Sequence, residues 1–126
     1  MLQVILNVPQ LSQMQLASRA IALISVPWSP WPQKSREVLV SLETSQEQWS
    51  PQCPVEFFDV WPERDAELNR WYEMQCVDAE PKFELHGHGY GPLWWLANGK
   101  VLECLAKPYD LPLKEIQRRS AAIFQR

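Results

Sequence analysis

Ile21-Ala22-Leu23-Ile24-Ser25-Val26-Pro27-Trp28-Ser29-Pro30-Trp31-Pro32-Gln33-Lys34-Ser35-Arg36 holds a strand, a turn and the start of a helix in one stretch. The run Ile21–Val26 is continuous and rich in β-branched residues, the pattern of a strand buried on both faces. Pro27 ends it. Residues 27–35 then form a loop that turns into a helix, and Pro32 suits the first helical position, where a missing N–H costs nothing. Val38, Leu39 and Leu42 give that helix an apolar face out to about Gln48.

Outward from this stretch the same alternation continues. Leu2–Leu6 is a short apolar segment suited to an edge strand, and Leu11, Met14, Leu16 and Ala17 recur at helical spacing with Ser12 as a cap. Val55–Val60 is the next strand. Asp65–Gln75 reads as a helix that turns Leu68, Trp71 and Tyr72 inward, and residues 77–91 form a long polar loop bearing glycines. Leu93–Ala97 and Lys100–Leu105 flank Asn98-Gly99, a type I′ hairpin signal, because both turn residues tolerate positive φ. Beyond Pro108 and Pro112 a last helix places Leu113, Ile116 and Ile123 on one side. The order β-α-β-α-β-α-β-β-α predicts a three-layer α/β/α sandwich. Its central mixed sheet has about five strands and is flanked by about four helices, all in a single domain over 1–126.

Composition bounds the function. In 126 residues, 46 % are hydrophobic and 21 % charged, the balance of a globular chain. Twelve Lys+Arg against fifteen Asp+Glu leave a net charge of −3, which gives no basic footprint for a nucleic acid. No apolar run approaches the roughly 18 residues of a membrane span. The N-terminal Met1–Leu6 segment lacks the basic region and cleavage site of a signal peptide, so the expected location is cytoplasmic. Cys53, Cys76 and Cys104 are far apart and odd in number, which argues against a disulfide framework. Eleven prolines and seven tryptophans are more than a core of this size needs.

Three segments make the chain resemble the thioredoxin family over nearly its whole length. Trp28-Ser29-Pro30-Trp31 matches the Trp-Ala-x-Trp that precedes the family's Cys-Gly-Pro-Cys; Phe58-Asp59-Val60 matches its apolar-Asp strand end; Gly91-Pro92, ahead of Asn98-Gly99, matches its cis-proline turn and hairpin. The resemblance implies the thioredoxin fold with its N-terminal β-α extension. It does not carry the chemistry, because Pro32-Gln33-Lys34-Ser35 stands where the family has Cys-x-x-Cys, and Val26 stands where it has a buried Asp. Thiol–disulfide exchange needs a low-pKa thiolate and a second thiol within reach, which neither proline nor serine supplies.

By the same resemblance, Trp28, Trp31, Pro32, Ser35, Trp61, Tyr90, Gly91 and Pro92 gather at one end of the sheet as a peptide groove. Such a groove holds an extended peptide by strand addition, and its aromatics bury large area at small entropic cost. The expected function is therefore a redox-inactive protein- or peptide-binding or chaperone-like module with no cofactor. Exposed tryptophans also suit a homodimer interface. The alternative is an oxidoreductase or redox sensor using a relocated cysteine, Cys53, Cys76 or Cys104. His86-Gly87-His88 offers two ligands where a metal needs three or four, so no metal site is expected. No Gly-rich phosphate loop, Gly-x-Ser-x-Gly or His-Glu-x-x-His is present. Asp59, Glu63 and Asp65 read as a solvated acidic rim, with Asp65 favouring the positive end of its helix.

Overall fold

The computed structural model describes residues 2–79 and 88–125. A five-stranded mixed sheet has the order β1-β3-β2-β4-β5, with β1 Gln3–Ile5, β2 Ala20–Ile24, β3 Glu56–Val60, β4 Leu93–Ala97 and β5 Lys100–Leu105. β1, β3 and β2 run parallel, while β4 lies antiparallel to both β2 and β5. The helices are α1 Val8–Leu16, α2 Trp31–Thr44, α3 Gln46–Trp49, α4 Ala66–Asp78 and α5 Leu113–Phe124. This is the mixed α/β architecture expected, with one more helix because the predicted run to Gln48 breaks after Thr44 into α2 and the single turn of α3.

The period-two alternation of the strands divides the core. Ala20, Ala22, Ile24, Phe58, Val60, Trp94 and Leu96 face α1 and α4, where Leu11, Met14 and Leu68 cover them. Ile21, Leu23, Phe57, Leu93 and Trp95 face the other way, against Leu39 and Leu42 of α2, Trp49 of α3 and Ile116 and Ile123 of α5. All five β2 residues are buried, as the uninterrupted apolar run requires.

Most of the tryptophan surplus is spent here. Trp49, Trp94 and Trp95 are buried, and Trp71 and Tyr72 pack on Trp94 at ring-centroid separations of 6.0 and 5.7 Å. Two of the buried indoles find acceptors: Trp95 Nε1 donates to Ser120 Oγ at 3.0 Å and Trp49 Nε1 to the Leu42 carbonyl at 3.1 Å.

Caps differ from the sequence expectation in one place. Asn7, not Ser12, caps α1 by accepting from Gln10 N at 3.0 Å, because Pro9 is tolerated inside the first turn and lets the helix start earlier. Asp65 caps α4 by accepting from Leu68 N at 3.1 Å. The hairpin is as read: Asn98 and Gly99 have φ of 52° and 81°. Among the described residues no helix is long and apolar enough to cross a membrane.

Candidate functional site

In open α/β sheets, ligands bind outside the carboxyl ends of the strands, where the chain order reverses. Here the chain leaves β2 at Ser25, crosses Trp28-Ser29-Pro30 and enters α2. From the next strand it leaves β3 at Trp61. The segment 88–92 returns against both before β4. Ser29 Oγ donates to the Gly89 carbonyl at 2.5 Å and accepts from Trp31 N at 3.3 Å, which ties the returning segment to the start of α2. Ser35 Oγ donates to the Tyr90 carbonyl at 3.4 Å. Gly89, with φ of 81°, lies under the Trp28 ring.

The Gly91–Pro92 bond is trans, which corrects the cis-proline expectation, since no cis peptide occurs among the described residues. Gly91 makes the reversal through a φ of 74°, a conformation open to glycine, and the Pro92 carbonyl then accepts from Ile24 N at 3.1 Å to extend the β2–β4 ladder.

The eight residues predicted for the groove separate by depth. Trp28 and Trp31 are 64 % and 39 % exposed, Trp61 and Tyr90 are half-buried, and Pro32, Ser35, Gly91 and Pro92 are buried beneath them. Trp28 Nε1 donates to Glu63 Oε2 at 2.7 Å. Trp61 meets Arg36 and Arg64, whose guanidinium carbons lie 5.4 and 5.9 Å from its ring centroid. Trp31 stacks on Tyr109, with centroids 5.3 Å apart and planes 14° apart.

Below this surface lies a charged network that takes Asp59 out of the expected acidic rim. Asp59 is only 3 % exposed. Strand alternation turns it with Phe57 toward α2, where it accepts from Ser25 Oγ at 2.5 Å and from Arg36 Nε at 2.7 Å. Arg36 also donates to Ser25 Oγ at 3.2 Å. A carboxylate buried on that face needs a cation to offset its lost hydration, and Arg36, one turn into α2, supplies it. The rim assignment fails for Asp59 because its place in the strand turns it to the covered face of the sheet, where it pairs with Arg36; Glu63 and Asp65 do lie beyond the strand's end.

Three further residues went unnoticed in the sequence as site candidates: Lys34, Lys107 and Tyr109. With Trp31, Tyr90 and Leu111 they line an open cleft of about 670 Å³ between α2 and the turn at Pro108–Asp110. Lys34 Nζ lies 5.0 Å from the Trp31 ring centroid and Lys107 Nζ 4.3 Å from that of Tyr90. The Lys107-Pro108-Tyr109 segment follows the last strand, and only the closure of the sheet brings it to α2.

None of the three cysteines is in a disulfide. Cys53 lies in the loop before β3, Cys104 in β5, and Cys76 in the last turn of α4 rather than after it. Burial pushes the Cys76 thiol up, and hydrogen bonding to Tyr72 only partly opposes this, so the shift runs opposite to that of a reactive thiol. Of the histidine pair, His86 lies outside the described residues. His88 is exposed with a φ of 47°. Among the described residues no three His, Cys, Asp or Glu side chains cluster as metal ligands.

No family model and no curated protein matches the chain. Solved structures do. The oxidised thioredoxin of Plasmodium falciparum aligns with a TM-score of 0.59 at 11 % identity, over 96 % of this chain and 99 % of that one. Malassezia sympodialis thioredoxin gives 0.60 at 13 %, over 96 % and 91 %, and a designed protein gives 0.60 at 14 %, over 98 % and 97 %. The class defined by this architecture is thus the thioredoxin fold. At these identities the likeness concerns the fold alone.

Proposed function

We propose that the chain is a redox-inactive thioredoxin-fold module that binds an extended protein segment at the surface formed by Trp31, Tyr109 and Tyr90. The observation that carries this reading is the Trp31–Tyr109 stack, an aromatic face left partly open to solvent at the start of α2. Rigid aromatics of this kind make effective contacts because little side-chain entropy remains to be lost. Redox inactivity rests on Pro32 and Ser35, both buried at the helix start, and on the positions of Cys53, Cys76 and Cys104, no two of which form a Cys-x-x-Cys pair. Cytoplasmic residence is part of the same proposal, since an unpaired set of thiols suits a reducing compartment.

Three measurements test it. Insulin-disulfide reduction should stay at the reductant-only blank, and turnover lost on Cys53→Ser would overturn redox inactivity. Reduced, alkylated insulin B chain should bind, and Trp31→Ala should weaken that binding at least about fivefold, as removal of a contact aromatic does. The same change should cost only about 1 kcal/mol of stability, the scale of one exposed aromatic pair. A loss above about 3 kcal/mol, typical of a buried tryptophan, would reassign Trp31 to packing.

A further inference from the structure

The contacts around the cleft form a run: Lys34 lies over Trp31, Trp31 stacks on Tyr109, and Lys107 lies over Tyr90 beside it. Neither ammonium is ion-paired among the described residues, although Glu37 and Asp110 line the same cleft. Tyr109 adds a hydroxyl that is buried and has no hydrogen-bond partner. Such a group costs free energy unless a ligand satisfies it. Burial first, and then the neighbouring Asp110 and Tyr90, push the Tyr109 phenol up, so it is a neutral donor at physiological pH. The cleft therefore holds two ammonium groups that make no ion pair among the described residues, alongside the carboxylates of Glu37 and Asp110, set on an apolar floor of Val38, Leu111 and Leu113.

We infer that this cleft selects an acidic extended peptide, with carboxylate groups meeting Lys34 and Lys107 and an adjacent apolar side chain lying on the Trp31–Tyr109 face. The inference rests on the binding role proposed above and adds the chemistry of the partner. Glu37 and Asp110 oppose a uniform polyanion, as does the net charge of −3, so individual carboxylates flanking an apolar residue fit better than a nucleic acid or a sulfated polysaccharide. A lysine held over a ring loses less freedom on pairing than a free one, which favours its use in recognition.

The test uses blocked peptides with the core Glu-Leu-Phe-Glu or Gln-Leu-Phe-Gln, titrated against the full chain by tryptophan fluorescence. Two partly exposed ion pairs are together worth about a five- to tenfold preference. The Glu peptide should therefore bind about fivefold or more tightly than the Gln peptide in low salt. The preference should vanish in Lys34→Gln/Lys107→Gln and shrink at about 0.5 M salt, where the Debye length is only a few ångströms. Both lysines are exposed, and circular dichroism should find that variant folded. A Gln peptide with a free C-terminus that matched the Glu peptide would uphold carboxylate recognition and assign it to the chain end. Equal binding of both blocked peptides, still dependent on Trp31, would overturn the acidic preference and leave the binding surface standing. Failure of both peptides and of insulin B chain would overturn the surface itself. Heparin binding more tightly than the Glu peptide would overturn the peptide assignment.

Discussion

Asp59→Ala should lower the unfolding free energy by about 3 kcal/mol, the low end of the range for breaking a buried ion pair. The carboxylate is 3 % exposed and accepts from both Ser25 and Arg36. Its loss leaves a hydroxyl and a guanidinium without their acceptor. The Arg36 side chain keeps 30 % of its surface, so water screens part of the penalty and the upper end of the range is not reached. Urea denaturation of Asp59→Ala, Arg36→Ala and the double variant would give the coupling energy, expected at about 1–3 kcal/mol for side chains in one network. Glu63→Ala, which removes only an exposed bond to Trp28, should change stability by no more than about 0.5 kcal/mol. An Asp59→Ala loss below about 1 kcal/mol would mean that the pair is no more than a surface contact. The network also bears on binding. Arg36 is one turn beyond Trp31 on α2, and its two bonds to the strand ends fix the rotation of the helix and thus the direction in which Trp31 and Lys34 point.

Asp59 also marks where sequence reading stops. Each strand was legible because the apolar period is local: Leu93–Ala97, Asn98-Gly99 and Lys100–Leu105 were read to the residue. Asp59 looked like a rim acid because nothing in Phe58-Asp59-Val60 tells which neighbour lies across from it. Its partner is 23 residues away, on a helix whose rotation is set only by packing against the sheet. Tertiary pairing of this kind has no local signature. The α2/α3 break was missed for a related reason. The helical apolar pattern continues across Ser45, but the Ser45 hydroxyl donates to the Ser41 carbonyl and the Trp49 indole to the Leu42 carbonyl, capping α2 and folding the next turn back.

The aromatic surface was half legible. Trp28 and Trp31 stood out beside a proline-rich turn and are exposed, while Trp94 and Trp95 proved to be core because the strand bearing them is covered on both faces. Tyr109 and Lys107 could not have been joined to Trp31 from spacing, since 76 residues separate Lys107 from Trp31 and the whole sheet must form before they meet. Two prolines do hint at it. Pro108 and Pro112 hold the segment between β5 and α5 in a fixed turn, which presents Tyr109 to α2 with little freedom left to lose.

Gly91→Ala should destabilise the fold by about 3 kcal/mol or more through two separable effects. The φ of 74° places a non-glycine residue in the left-handed region, at about 1–2 kcal/mol. In addition, an added Cβ would stand 2.7 Å from Pro32 Cα and 2.9 Å from Ser35 Oγ. Pro32 Cα is backbone at the start of α2, so the helix itself would have to move, and overpacking of this kind costs about 1–3 kcal/mol more. Gly99→Ala supplies the comparison. Its φ is 81°, but the nearest atom to an added Cβ is the Gln15 carbonyl oxygen at 3.4 Å, so only the conformational cost remains. Thermal or urea unfolding should therefore rank Gly91→Ala below Gly99→Ala by at least about 1 kcal/mol, the lower bound of the overpacking term. Equal losses would show that α2 yields freely at Pro32. In that case the contact between the returning segment and the helix start would not be what holds Trp31, Tyr90 and Tyr109 in register, and the cleft would lose its structural basis. A larger loss at Gly91, with weakened binding of the acidic peptide in the folded fraction, would tie the geometry of that surface to this single close approach.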